Sequence, residues 1–275
     1  FVWTLDLDPD IADEGSYSFT ATAEDGINTS PASAAVNVVI DTTTPEAPTI
    51  NAIDSPRNTP ITEISGTAGE AGLTIEVSDS TLGVLGTATS RAQGAIFVWT
   101  LDLDPDIADE GSYSFTATAK DAATNTSPPS AAVAVTVDTT DPADLELLAP
   151  DDASIITEKK PVFDWSDATD ATTVTYQLLV DNDPAFGSPE IDEDDLTEST
   201  FTALADLADD VYSWKVIATD EALNSVESTT FTFTLDTTDP ADLELLAPDD
   251  ASIITEKKPV FDWSDATDAT TVTYQ

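Results

Sequence analysis

Apolar residues recur at every second position in short stretches along this chain. Val174, Tyr176, Leu178 and Val180 are separated by Thr175, Gln177 and Leu179. Tyr212, Trp214, Val216 and Ala218 alternate with Ser213, Lys215 and Ile217, and Phe231, Phe233 and Leu235 alternate with threonines. Phe163 and Trp165 share a phase. Leu73, Ile75 and Val77 repeat the pattern, as do Trp99, Leu101 and Leu103, and then Tyr113, Phe115 and Ala117. Period two with β-branched and aromatic enrichment predicts half-buried strands. Turn signals such as Asp54-Ser55-Pro56 and Asp109-Glu110-Gly111 punctuate the runs. No segment carries a helical period over ten or more residues. Short strands with frequent turns predict an all-β chain of β-sandwiches.

The alternation is organised into repeats, the most informative feature of the sequence. Phe1–Ala23 recurs letter for letter as Phe97–Ala119, and Asp138–Gln177 recurs as Asp236–Gln275. Two module types follow, each about the ~100 residues of an immunoglobulin-like domain. Residues 1–43 read as the C-terminal half of a type A domain and 44–139 as a complete one. Residues 140–236 read as a complete type B domain and 237–275 as the N-terminal half of another. A natural boundary avoids the interior of a strand-rich unit. The expectation is a window from a longer array, lengthened by duplication.

Composition narrows the chemistry. The 275 residues hold 54 Asp plus Glu against 8 Lys plus Arg, a net charge of −46, with no His, Cys or Met. Disulfides, thiol nucleophiles and Cys/His zinc sites are excluded, as is a Ser-His-Asp triad. A surface this acidic repels nucleic acid. High charge alone suggests disorder, but 5 Trp, 10 Phe and 5 Tyr in alternating phase supply cores. No apolar run approaches the ~18 residues of a membrane helix, and no signal peptide is visible.

Local patterns in both modules resemble known families. In type A, Ser65-Gly66-Thr67-Ala68, Gly72–Val77, Ala108–Tyr113, Thr116–Asp121, Asn125-Thr126-Ser127 and Val137–Pro142 resemble the bacterial Ig-like domains repeated in very large surface adhesins. In type B, Pro161–Trp165, Tyr176-Gln177-Leu178 and Tyr212–Val216 resemble fibronectin-type-III-like modules. The resemblance implies tandem Ig-like and FN3-like β-sandwiches in an elongated beads-on-a-string array. Tyr113 and Tyr212 each follow an acidic turn, where such sandwiches place a structural tyrosine corner.

Candidate chemistry concentrates at the module junctions. Asp121, Asn125, Asp138 and Asp141 crowd the end of type A and the start of type B. Asp220, Asn224, Asp236 and Asp239 occupy matching places at the end of type B, and Asp25, Asn28 and Asp41 do so in the N-terminal segment. Each group is an acidic loop before the last strand, followed by an Asp-Thr-Thr-x-Pro link. If loop and link share one pole, several oxygens converge, and Ca²⁺ takes 6–8 oxygen ligands in tolerant geometry. Adhesin arrays resembling this one clamp neighbouring domains with calcium, so Ca²⁺ is the implied cofactor. The same residues also suit Asx-turns. The linker prolines Pro45, Pro142 and Pro240 favour an extended, stiff connection.

Other acidic runs carry less. Asp102-Leu103-Asp104-Pro105-Asp106 fails the EF-hand pattern, with Ile107 at the sixth place and Tyr113 at the twelfth. A strand with Leu101 and Leu103 inward explains it. Glu190–Glu198 reads as an acidic loop without the sheltered cleft that paired catalytic carboxylates need. Asn28-Thr29-Ser30 and Asn125-Thr126-Ser127 fit the N-glycosylation pattern.

The sequence therefore points to a non-enzymatic extracellular stalk or spacer of a repetitive cell-surface adhesin or filament, stiffened by Ca²⁺ at its junctions. Its expected partners are neighbouring repeats and identical chains, with neither nucleic acid nor inserted membrane. The alternatives are a filament or sheath subunit joined by strand complementation through Phe1–Leu7 and Val272–Gln275, and a carbohydrate-binding module.

Overall fold

The computed structural model describes residues 4–7, 10–11, 13–268 and 270–274. Every regular element among them is a strand, as the period-two pattern requires. The chain divides into two compact units, Phe1–Asp138 and Thr139–Gln275.

In the first unit, β1 (Gly15–Phe19) and β2 (Val36–Ile40) form an antiparallel pair. Then come β3 (Thr49–Ile50), β4 (Ile61–Ala68), β5 (Thr74–Asp79), β6 (Gly83–Thr89), β7 (Arg91–Gln93), β8 (Ile96–Ile107), β9 (Gly111–Lys120) and β10 (Val133–Val137). They build two four-stranded sheets, ordered β3-β4-β8-β7 and β10-β9-β5-β6. Alternate residues of both sheets meet in one core, with Ile61, Ile64, Ile75, Val77, Trp99 and Phe115 at 1 % exposure or less. Leu101 and Leu103 turn inward from β8 while Asp102 and Asp104 face water, as the alternation predicts.

Trp99 sets the spacing on its side of the core. Its indole N–H donates to the Thr67 carbonyl at 3.1 Å. Beneath it the backbones of β3 and β4 approach so closely that a Cβ on Gly66 would lie 1.8 Å from the Thr49 carbonyl oxygen. Only glycine fits there. Asp79, at 4 % exposure, ends β5 and ties the next turn to the neighbouring strand. Its Oδ1 accepts from Thr81 N and Leu82 N, and its Oδ2 from Ser114 N at 2.7 Å. Burial works to raise its pKa, but the backbone N–H donors outweigh burial and hold the carboxyl below its usual range. Beyond β9 Ser127 and Ser130 flank Pro128 and Pro129, and each bonds β9 twice: its N–H donates to the Ala119 or Ala117 carbonyl at 2.8 Å, and its hydroxyl accepts from the N–H of the same residue.

The second unit contains β11 (Leu147–Ala149), β12 (Ser154–Ile156), β13 (Val162–Trp165), β14 (Val174–Asp181), β15 (Ile191–Leu196), β16 (Thr200–Thr202), β17 (Asp210–Asp220), β18 (Ser225–Glu227), β19 (Phe231–Leu235), β20 (Leu245–Ala247) and β21 (Asp262–Trp263). One sheet runs β11-β13-β16; the other runs β12-β19-β17-β14-β15, with β18 also on β17. The core is aromatic. The Phe163 ring meets Trp214 edge-on at 5.2 Å, Trp165 meets Tyr176 edge-on at 5.6 Å, and Tyr212 stacks on Phe233 at 5.4 Å. Such pairs add about 0.5–1.5 kcal/mol each beyond area burial.

Both tyrosine corners form as anticipated. Tyr113 Oη donates to the Asp109 carbonyl at 2.8 Å and Tyr212 Oη to the Ala208 carbonyl at 3.1 Å. Tyr17 repeats the bond to Asp13 in the N-terminal copy. One reading needs correction: most of the Glu190–Glu198 run is not a loop but the edge strand β15, paired with β14. Its charges defeated the alternation criterion because an edge strand needs few apolar positions.

The partial copies keep local pairing but leave the shared core positions open. Phe19 is 40 % exposed where its counterpart Phe115 is buried, and Phe261 and Trp263 are exposed where Phe163 and Trp165 are buried. The sequence-predicted open edges at Phe1–Leu7 and Val272–Gln275 fall partly on Phe1, Val2, Trp3 and Gln275, outside the described residues.

Gly66→Ala is expected to destabilise the first unit by roughly 2–4 kcal/mol, the range of a severe backbone clash. Urea unfolding followed at resolved β4 amides measures it; an unchanged midpoint would show that Thr49 yields without loss.

Candidate functional site

Two of the three links that follow the last strand of a module are held by a carboxylate from the turn before the tyrosine corner. In the first unit this is Glu14. Its Oε1 accepts from Thr42 N at 2.8 Å and Thr42 Oγ1 at 2.6 Å, and both carboxylate oxygens accept from Thr43 Oγ1 at 2.9 Å. In the second unit Asp209 does the same. Thr237 N and Thr237 Oγ1 donate to it at 3.1 and 2.8 Å, and Thr238 Oγ1 at 2.9 Å. Each link also closes an Asx-turn: Thr43 N donates to Asp41 Oδ1 and Thr238 N to Asp236 Oδ1, both at 3.1 Å. A flexible Asp-Thr-Thr tripeptide thereby loses most of its freedom.

The acidic loop before the last strand is a second fixed element. Asn125 N donates to Asp121 Oδ1 and Asn125 Nδ2 to Asp121 Oδ2, both at 2.9 Å. Asp220 and Asn224 repeat this at 2.9 and 2.7 Å in a buried setting. The residue before each Asn, Thr124 or Leu223, takes a φ of 74° or 71°. This left-handed conformation costs a non-glycine residue about 1–2 kcal/mol. The Ala-Ala-Thr and Glu-Ala-Leu sequences thus keep a tight turn without glycine, offset by two bonds from one Asn. The Asp25–Asn28 loop instead folds on itself, with Ile27 N and Asn28 N both donating to Asp25 Oδ1.

Loop and link do converge in the first unit. Asn125 Nδ2 also donates to the Asp41 carbonyl at 3.1 Å. Asp41, Asp121 and Asn125 are therefore brought together, but by an amide N–H group, which is no metal ligand. As oriented, this trio does not fit a cation; the Asn125 amide supplies the positive end itself. In the second unit Asp220 has a neighbour that sequence spacing did not reveal. A carboxylate oxygen of Asp170 lies within 4.8 Å of one from Asp220. Two oxygens on one Ca²⁺ at 2.3–2.6 Å stand no more than about 5 Å apart, so this pair fits. Asp138 and Asp236 are buried at the ends of their strands, and Asp141 and Asp239 lie exposed in the links.

The sequence reading missed Glu14, Asp209 and Asp170. The first two were legible: each sits three residues before a corner tyrosine, as Glu110 does, and each module ends in Asp-Thr-Thr. Asp170 meets Asp220 only through the pairing of β14 with β17.

The hydrogen bonds leave an electrostatic signature. The Thr42 hydroxyl and N–H, then the Thr43 hydroxyl, hold the Glu14 carboxyl below its usual pKa. The Thr237 hydroxyl and N–H, then the Thr238 hydroxyl, do so for Asp209, and the Asn125 amide does so for Asp121. Because folding lowers these values, the clasp contributes fully above the ordinary carboxylate pKa of about 4. It is lost as pH falls through the lowered folded value. NMR titration of the Thr42 and Thr237 amides is expected to show midpoints below about 4, abolished by Glu14→Gln and Asp209→Asn respectively. Midpoints at or above the ordinary value would rule out the clasp in solution.

Residues 44–137 match the bacterial Ig domain family, and residues 149–237 match a bacterial Ig-like domain family. No curated protein matches the chain. Among solved structures, the fibronectin(III)-like modules of Clostridium thermocellum CbhA align at 14 % identity and a TM-score of 0.39. That alignment covers 71 % of this chain and 92 % of that one. The FN1–FN3 domains of chicken CNTN1 align at 14 % identity and a TM-score of 0.36, covering 80 % of this chain and 77 % of that one. Each unit thus holds one sandwich that matches a bacterial Ig or Ig-like domain family, and the chain carries the two in tandem.

Proposed function

We propose that this chain is a spacer segment of an extracellular, surface-associated protein, in which serial sandwiches hold another part of the molecule at a distance. The observation that carries this reading is the carboxylate clasp repeated at two of the three links, Glu14 on Thr42 and Thr43 and Asp209 on Thr237 and Thr238. A protein that only needed tethered domains would gain nothing from fixing each link. Ig-like domain families are generally non-catalytic and typically extracellular or surface-associated. Among the described residues no helix is long and apolar enough to cross a membrane. Sugar stacking needs exposed aromatic platforms, and within the two family-matched regions no described aromatic is among the exposed large hydrophobics. That favours a spacer over a carbohydrate-binding module.

Calcium enters this reading at one place. Asp170 and Asp220 would hold it in the second unit, where the cation would offset carboxylate repulsion and stiffen the loop end of the sandwich. In the first unit the Asn125 amide performs the corresponding role without a metal.

A second reading, assembly through the partial modules, is favoured by the open apolar groove of about 400 Å³ lined by Leu245, Phe261, Trp263 and Tyr274. A native mass near 28.9 kDa for the protein isolated from its source would favour that reading; a far larger mass would favour the spacer.

The chain has no Cys, so spin-label pairs can be placed at will. With labels at Ser18→Cys and Thr118→Cys, on either side of the first link, the distance distribution is expected to be narrow. It should broaden in Glu14→Ala and be indifferent to Ca²⁺ or chelator. Amides of Asp170 and Asp220 are expected to shift on Ca²⁺ addition and to stop shifting in Asp220→Asn. A broad distribution in the parent protein would refute the stiff spacer; unshifted amides would remove calcium from it.

A further inference from the structure

The two family-matched sandwiches differ sharply at one equivalent edge. β6 and β15 hold the same place in the topology. Each pairs on one side with the strand, β5 or β14, that lies beside the tyrosine-corner strand, β9 or β17. β15 reads Ile-Asp-Glu-Asp-Asp-Leu, with a register shift against β14 and Asp195 at a φ of 53°. Charge and a bulge are the two common devices that stop an edge strand from pairing with another chain. β6 reads Gly-Val-Leu-Gly-Thr-Ala-Thr and, although it too shifts register against β5 at Leu85, it carries neither charge nor proline, so charge is what separates the two edges.

Among the described residues, the other edges of the two family-matched sandwiches are short or covered. β3 has two residues, and β7, β11, β12 and β16 have three each. The outer side of β10 is met by the Ser55–Arg57 segment, where Thr136 N donates to Ser55 Oγ and Arg57 N to the Thr136 carbonyl. β6 has seven residues, and among the described residues its only strand partner is β5. Val84 is 62 % exposed on it, and Leu82 beside it 53 %. Charge singles out the same stretch. Residues 80–101 contain no Asp or Glu and one Arg, the longest acid-free run in a chain of net charge −46.

We propose that β6 is a strand-addition surface and that its occupant is β6 of a second copy, running antiparallel about a two-fold axis. Self-pairing of one patch is the commonest closed protein symmetry, and sheet extension supplies main-chain hydrogen bonds in register. The acid-free run puts no carboxylate on the pairing strand itself; the nearest are Glu76, opposite Thr87 on β5, and Asp104 and Asp106, beside Leu82 and Val84, and their repulsion is what salt would screen. Glycine, alanine and threonine permit close approach, and Val84 is covered. This lateral contact is independent of the spacer reading and of the partial modules, since it uses only the complete type A sandwich.

Sedimentation velocity on the 275-residue protein tests it, at rising protein concentration in low salt and in about 1 M NaCl, where the Debye length is about 3 Å. Dimer is expected to grow with concentration and with salt. The double variant Val84→Glu/Thr87→Glu should weaken dimerisation at least about tenfold with thermal unfolding unchanged. Leu245→Asp/Phe261→Asp, on the exposed groove of the last segment, should dimerise as the parent does. Thr87→Cys should give disulfide-linked pairs on mild oxidation, and Thr62→Cys, on the other sheet, should not. A parent that stays monomeric in high salt overturns the proposal. So does dimerisation abolished by the groove variant and spared by the β6 variant, which would assign assembly to the partial module.

Discussion

With 54 carboxylates and 8 cationic side chains, this chain cannot neutralise its acids by ion pairing. Among the described residues two salt bridges form, Lys160 with Asp206 and Lys215 with Glu227. The structure depends instead on carboxylates that accept hydrogen bonds from backbone amides, hydroxyls and carboxamides. Asp79 bridges a turn to β9, Asp181 ties Asp183 and Ser188, and Asp121 and Asp220 each close a loop through one asparagine. Glu14 and Asp209 extend the same chemistry from within a module to the link beyond it. A charged acceptor forms stronger hydrogen bonds than a neutral one, and here it does so without a counter-ion.

This explains how an acidic protein can be ordered at its joints. A salt-bridged link would weaken wherever ionic strength screens it. A carboxylate that accepts two or three short bonds from adjacent threonines depends on geometry more than on long-range field. The asparagine loops work alike. A left-handed residue before Asn125 and Asn224 is an expense in local strain, offset because the same Asn donates from backbone and side chain. In the first unit a third bond, from Asn125 to the Asp41 carbonyl, joins loop and link directly.

The remaining charge is distributed rather than clustered for chemistry. Outward positions of β8 and the four central positions of β15 show acids doing what edge and surface strands need, staying soluble and refusing partners. Against that background β6 stands out as the longest described edge of the two family-matched sandwiches, and it carries no charge. The same sandwich plan therefore carries a closed edge in one module and an open one in the other.

The sequence by itself determined the all-β class, the repeat plan, the inward phase of Trp99, Phe115, Trp165 and Trp214, and the tyrosine corners. Each is a local pattern: period two places side chains on one face, and an exact duplication is visible letter by letter. It also placed Asp121 and Asn125 in one loop, because they stand four positions apart along the chain. It misread most of Glu190–Glu198 as a loop, since an edge strand is defined by what it does not pair with, and that is absent from composition. Only the tertiary structure placed Glu14 against Thr42 and Asp170 beside Asp220, residues far apart along the chain that meet because strand pairing folds the turn back onto the link. It likewise decided that the Asn125 amide, and not its oxygen, faces Asp121 and Asp41: an orientation set by which neighbours arrive, which no spacing of residues records.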